Sequence, residues 1–325
     1  MKRFAYGILL LAFLAASACM IYYGKLTFQM KKAEAEHDKS MYHFVLIPEE
    51  LDNEYWHLVE KGARDASKLY GVYLEYAGPR QANYSEHLKT LDTAIAGRVD
   101  GILMQGGKSE MLTTLISKAQ DKGIPIVTVD TDAPDTERAA YVGTNNYYSG
   151  FLAGQALLAD TNGPQRVGIV TGRFQSENQK QRVEGFKEAV KKEERIQIVG
   201  IEESSITKIG AIEATYRLVH NHPDITAIYG TSALDGVGIA GVTQYFNKKN
   251  VYVIAFDTLP ETLFLLNGQA IHATVAQDPY EMGYSAVVSL IKLKSGKTIH
   301  PLQYTDTSII RREDLPMSAE GEGGS

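Results

Sequence analysis

Val127-Thr128-Val129-Asp130-Thr131 returns as Val253-Ile254-Ala255-Phe256-Asp257-Thr258, an apolar run that ends both times on aspartate followed by threonine. Asp130 and Asp257 lie 127 residues apart. Two further pairs keep nearly that distance: Val99-Asp100-Gly101-Ile102-Leu103 returns after 126 residues as Ile225-Thr226-Ala227-Ile228-Tyr229, and Phe44-Val45-Leu46-Ile47 after 123 as Val167-Gly168-Ile169-Val170. Three matched β-rich runs with so little drift describe one unit used twice. Solenoid repeats are roughly 20–50 residues long, so this period predicts two duplicated lobes.

The segments between these runs set the fold class. Residues 43–48 read as a buried strand, after which Asp52-Asn53 caps a helix whose stripe is Val59, Ala63, Ala66 and Tyr70. Strands at 73–76, 101–104 and 125–129 then alternate with helices near 85–96 and 111–122. The second lobe repeats this, with strands at 167–170, 196–201, 227–229 and 252–255 and helices near 179–192, 209–221, 237–246 and 260–267. A strand at 272–275 follows, then a helix opened by Asp278-Pro279, where proline's missing N–H costs nothing. Such alternation predicts an α/β protein of two Rossmann-like lobes with parallel sheets.

The chain has 325 residues, 44% of them hydrophobic, enough for two cores. Its net charge is −6, and the first 24 residues contribute only Lys2 and Arg3, so the remainder is more acidic still. That balance speaks against a nucleic-acid partner, which clustered Lys and Arg would serve. The single cysteine, Cys19, excludes a disulfide framework and a thiolate metal site.

Residues 4–24 carry no charge, and an apolar stretch of about 20 residues can span a bilayer. This segment, 1–24, predicts export by one of three routes: cleavage after Ala16-Ser17-Ala18, lipid attachment at Cys19 in a lipobox-like Ala16-Ser17-Ala18-Cys19, or retention as an anchoring apolar helix. The product then sits on the outer face of the bacterial cytoplasmic membrane or in the periplasm. A charged tether at 25–40 follows, and the polar tail 314–325 is expected to be disordered.

Ligands of open parallel sheets bind beyond the carboxyl ends of the strands. Those positions hold Asn53, Tyr55 and Trp56, Gln105 and Gly106, and Asp130 in the first lobe; the second supplies Gly172, Ser204, Ser232, Asp257 and Gln277. Carboxylates and amides match adjacent hydroxyls, and aromatic faces match the C–H face of a ring.

From residue 41 to about 312 the chain resembles the ribose-, xylose- and galactose-type sugar-binding proteins of ABC transporters, a type I periplasmic binding protein fold shared with the effector domain of LacI-type repressors. The resemblance is carried by Leu51-Asp52-Asn53-Glu54-Tyr55-Trp56, Gly123-Ile124-Pro125-Ile126-Val127-Thr128-Val129-Asp130, Arg182-Val183-Glu184-Gly185-Phe186, Val253-Ile254-Ala255-Phe256-Asp257 and Ala273-Thr274-Val275-Ala276-Gln277. It implies that Asn53, Asp130, Arg182, Asp257 and Gln277 hydrogen-bond sugar hydroxyls while Tyr55, Trp56 and Phe256 sandwich the ring. It also implies a three-strand hinge near 142–145, 277–278 and 304–308, giving an N-terminal lobe of 41–143 plus 278–305 and a C-terminal lobe of 144–277 plus 306–313. Ribose binders carry arginine where this chain has Thr131, an aromatic at Ile206 and asparagine at Ser232, so another pentose or a hexose is the expected ligand.

Plainer roles exist for the same residues. Asn53 suits a helix N-cap, Tyr55 and Trp56 extend the stripe of Val59, and Arg182 could serve in a surface salt bridge. Gly236-Val237-Gly238-Ile239-Ala240-Gly241 spells a dinucleotide fingerprint, but its glycines fall within a helix instead of at a strand-to-helix turn. His220-Asn221-His222 reads as a helix end ahead of Pro223. No cofactor or metal is expected. A repressor would need a helix-turn-helix ahead of the first lobe, where only 40 residues stand, half of them apolar. No nucleophile or base accompanies the two aspartates, so no enzyme is expected. The expected protein closes two lobes on a monosaccharide and is read by a partner, an ABC permease or, alternatively, a membrane histidine kinase.

Overall fold

The computed structural model describes residues 41–316 and, upstream, Ser17 alone. The anchor segment with Cys19, the tether and the tail from residue 317 on lie outside the described residues. Among the described residues no helix is long and apolar enough to cross a membrane.

The first sheet is built from β1 (Tyr42–Ile47), β2 (Val72–Tyr76), β3 (Gly101–Gln105), β4 (Ile126–Val129), β5 (Ala140–Gly143) and β11 (Leu302–Tyr304), in the order β2-β1-β3-β4-β5-β11. The second has β6 (Gln165–Thr171), β7 (Ile196–Glu203), β8 (Ala227–Gly230), β9 (Tyr252–Phe256), β10 (Ala273–Gln277) and β12 (Thr307–Arg311), in the order β7-β6-β8-β9-β10-β12. Every pair is parallel except β10 with β12. Because both faces are covered, the central strands read as continuous apolar runs and not as alternations. The quoted repeat thus corresponds to equivalent central strands, β4 and β9.

In the first lobe α1 (Glu54–Tyr70) and α9 (Pro279–Lys294) cover one face of the sheet, with α2 (Tyr84–Ala96) and α3 (Glu110–Asp121) on the other. In the second, α4 (Asn146–Asp160) and α5 (Glu177–Val190) face α6 (Lys208–Asn221), α7 (Asp235–Tyr245) and α8 (Pro260–Asn267) across the sheet. Side-chain caps start several of these helices: Asn53 Oδ1 accepts from Tyr55 N–H, Asn145 from Tyr148 N–H and Asp278 from Glu281 N–H. The chain passes between the sheets three times, from β5 into α4, from β10 into α9 and from β11 into β12. Two of these passages are tied together by the Thr144 hydroxyl, which donates to Gln277 Oε1 at 2.6 Å.

Close helix crossings lock each lobe. A Cβ on Gly150 would lie 1.9 Å from the Arg182 carbonyl oxygen, and one on Gly185 equally close to that of Tyr147. Gly62 and Gly283 do the same for α1 and α9. The backbone of α5 is therefore fixed where it carries Arg182. The glycines of the fingerprint-like run serve packing too: Gly236 abuts Ala255 and Gly238 abuts Ala211, inside α7.

Candidate functional site

The carboxyl ends of both sheets face a shared cavity of about 440 Å³, lined by groups from each lobe. β4 and β9 each deliver an aspartate in the left-handed region, Asp130 at φ 65° and Asp257 at φ 69°. Aspartate tolerates this conformation better than most residues, at a cost of about 1 kcal/mol. The following strand holds each backbone in place. Asp130 N–H donates to Val142 O at 3.2 Å and its carbonyl accepts from the Tyr141 hydroxyl at 2.8 Å. Asp257 N–H donates to Val275 O at 2.8 Å and its carbonyl accepts from the Thr274 hydroxyl at 2.7 Å.

The side chains are held differently. Asp130 accepts from the Tyr55 hydroxyl at 2.8 Å and the Thr131 hydroxyl at 2.9 Å, with Gln105 Nε2 at 3.4 Å. Asn178, on α5 of the other lobe, reaches across to it with Nδ2 at 3.5 Å. Asp257 accepts from Gln277 Nε2 at 2.7 Å, and burial raises its pKa to about 6 against the opposing pull of Arg182. Asp235, beneath Ser232, is likewise pushed to about 6 by burial while its Oδ2 accepts the Thr231 and Ser232 N–H groups.

Arg182 is 2% exposed and, among the described residues, makes no surface salt bridge. Its Nε donates to Asn146 Oδ1 at 2.8 Å and Nη1 to Thr231 O at 2.9 Å, and Nη2 stands 3.5 Å from Gln277 Oε1. Its guanidinium carbon lies 3.8 Å from the centroid of Phe256. Neutral acceptors thus fix a full positive charge beside a raised aspartate, an arrangement costly to desolvate unless something polar completes it.

Of the residues singled out in the sequence, the fold brings Asn53, Tyr55, Asp130, Arg182, Ser232, Asp257 and Gln277 to the cavity. Asn53 also performs the plain role, capping α1 while its Nδ2 donates to Glu50 Oε1 at 2.7 Å. Three residues belong elsewhere. Trp56, 2% exposed, is packed with Phe44, Val59 and Met282, so the core stripe claims it. Phe256 is fully buried with its face covered by Arg182, which leaves no ring surface for a sandwich. Thr131 spends its hydroxyl on Asp130 and faces a neighbouring cavity. Tyr55 lines the main cavity with its ring edge-on to Trp56, and its buried hydroxyl, pushed well above the usual phenol range, serves as a donor to Asp130. The apolar wall comes instead from Ile206, Leu234, Val237 and Leu259 of the second lobe.

Sequence reasoning also missed Glu49, Asn178 and Gln179 and left Gln105 without a role. Asn178 stands one helical turn before Arg182, on the same face, and that spacing was the available signal. Glu49 pairs across the cleft with Arg173, two residues beyond β6.

Comparison with known proteins agrees with this geometry. Residues 44–298 match the periplasmic binding protein domain. The D-allose-binding periplasmic protein of Escherichia coli K12 is 26% identical over 268 residues, covering 79% of this chain and 86% of that protein. Among solved structures, GanP, a glucose-galactose binding protein from Geobacillus stearothermophilus, is 52% identical and superposes with a TM-score of 0.83 over 86% of this chain and 100% of that one. A XylFII–LytSN complex provides a further neighbour, at 34% identity and a TM-score of 0.79, covering 84% and 98%. With the duplicated sheets, the interlobe cavity and a domain match spanning most of its length, the chain belongs to the periplasmic binding protein family.

Proposed function

We propose that this protein is an exported receptor that closes its two lobes around one hexopyranose and presents the closed form to an ABC sugar importer. The observation that carries this reading is the cavity itself, where Asp130 and Asn53 from one lobe meet Arg182, Asn178 and Asp257 from the other. Carboxylates accept from vicinal hydroxyls, Arg182 and the amides donate to them, and Ile206, Leu234 and Val237 offer a surface for the C–H face of the ring. A hexose is favoured by the 52% identity with a glucose-galactose binding protein. The ligand contacts both lobes only when they are closed, so binding shifts the population toward that form.

A second reading is a sugar-sensing co-receptor of a membrane histidine kinase, favoured by the similarity to the XylFII–LytSN complex and by the apolar segment ahead of the tether. Fractionation of wild-type and Cys19→Ala protein separates the modes of attachment: release of the variant means lipid, retention means a helix. The sugar claim is tested by following the single tryptophan, which lies edge-on to the cavity-lining Tyr55. Titration of the full chain with pentoses and hexoses should change its fluorescence and raise the melting temperature for glucose or galactose, since a ligand bound only to the native state stabilises it. No response to any monosaccharide would overturn the reading.

A further inference from the structure

Glu49 and Arg173 stand in corresponding loops of the duplicated unit. Glu49 stands two residues beyond the end of β1 and Arg173 two residues beyond the end of β6, 124 residues apart and one residue off the 123-residue spacing of the paired strands. Corresponding loops on facing lobes thus carry opposite charges, and Arg173 Nη1 donates to Glu49 Oε1 in a short contact across the cleft. The Glu49 carboxylate also receives Gln105 Nε2 at 3.4 Å, the same amide that lies 3.4 Å from Asp130. One side chain thus connects the ion pair to the sugar-facing aspartate.

Glu49 stands between two spaces, and Arg173 lines the second of them. Beyond the main cavity lies a second one of about 410 Å³, and Glu49, Gln105 and Ser176 form walls of both. The far wall of this second space holds Asn83, Lys108 and the half-exposed ring of Tyr84, which stacks on His87 at 6.3 Å with 12° between the rings. Aromatic faces and amides are the same chemistry that suits a saccharide in the main cavity.

We propose that the Glu49–Arg173 pair is a partition that limits the ligand to a single ring, and that the second cavity behind it is a saccharide subsite able to take the next ring of a disaccharide once the partition is removed. The proposal rests on the sugar-binding reading above. It makes Glu49 and Arg173 determinants of ligand length, since the closed lobes bring the pair together in the path that a glycosidic substituent would take from the main cavity. Both side chains are partly exposed loop groups, so their replacement removes little packing.

Calorimetric titration of the full chain with glucose, galactose, cellobiose and lactose tests this. The wild type should bind a monosaccharide at least tenfold more tightly than the disaccharides. Glu49→Ala combined with Arg173→Ala should raise the disaccharide-to-monosaccharide affinity ratio about tenfold or more. The exchanged pair, Glu49→Arg with Arg173→Glu, should restore the wild-type ratio, an outcome that a merely structural role would not produce. Adding Tyr84→Ala to the opened variant should weaken disaccharide binding and leave the monosaccharide unchanged. An equal ratio in wild type and double-alanine variant, or wild-type protein that binds disaccharides as tightly as monosaccharides, overturns the partition while leaving the sugar receptor standing. A wild type that binds none of the four sugars overturns both.

Discussion

Asp130 and Asp257 share a backbone and differ in everything that touches their carboxylates. Each ends a central strand in the left-handed region, gives its N–H to the next strand and receives a hydroxyl on its carbonyl. Asp130 accepts from Tyr55 and Thr131 of its own lobe and is approached by Asn178 of the other, whereas Asp257 has Gln277 and the field of a buried arginine. Duplication preserved the geometry that aims a carboxylate at the cleft. Divergence of the neighbours left one carboxylate held by hydroxyl donors and the other with its pKa raised by burial. The corresponding loops after β1 and β6 bring Glu49 and Arg173 together as an ion pair across the cleft.

This contrast is open to direct attack. The largest effect is expected from Asp257→Asn. Loss of a charged acceptor should weaken sugar binding about 100-fold, in line with one or two charge-assisted hydrogen bonds at about 1.5–3 kcal/mol each. The unliganded variant should gain about 1–3 kcal/mol of stability, because a desolvated charge is gone. Asp130→Asn should do the opposite to stability, costing about 1–2 kcal/mol as Tyr55 and Thr131 lose their shared acceptor. Urea unfolding of both unliganded variants decides the matter, and a shift of the same sign in both would break the comparison.

The pH dependence comes next. Asp257 and Asp235 ionise near 6 in the folded protein, against about 3.8 for an unperturbed aspartate. Between these values the folded state holds protons that the unfolded state has released. The two groups therefore favour folding at low pH, and their contribution is lost as the pH rises from about 4 to about 6. Sugar hydroxyls donating to Asp257 favour its charged form, so affinity should fall as the pH drops below about 6, by up to about tenfold per unit. Calorimetry from pH 4.5 to 7.5 should show this slope in the wild type and a flatter one in Asp257→Asn.

Tyr55→Phe is a smaller test. It removes one buried hydrogen bond to Asp130 and should cost about 1 kcal/mol of stability. Smallest for the ligand is Trp56→Phe, expected to lower stability by about 1 kcal/mol while affinity, measured by calorimetry, stays within about twofold. A large loss of affinity would return Trp56 to the site.

The limits of sequence reading follow from the same residues. Periodicity assigned Val59, Ala63 and Ala66 to a buried stripe, and the fold packs them together with Trp56. The same stripe shows why Trp56 was ambiguous, since a residue three positions before Val59 shares its face whether or not a ligand lies beyond. Phe256 was legible as the end of a strand, but which side chain would cover its ring was not. β11 and β12 were reached only through the resemblance, as a hinge strand near 304–308, because strands of three and five residues with partly exposed faces carry no apolar signature.

By itself the sequence determined the duplicated α/β architecture and the aspartates at equivalent strand ends. Those features depend on local hydrophobic periodicity and on an internal repeat that the chain carries in its own letters. Only the tertiary structure decided that Arg182 would cover Phe256, that Asn178 would reach Asp130 and that Glu49 would meet Arg173. Each joins groups roughly 50 to 125 residues apart. Pattern along a chain fixes which face of an element turns inward, but what meets it, within one lobe for Arg182 and Phe256 and across the cleft for the other two pairs, depends on how separate elements are packed against each other.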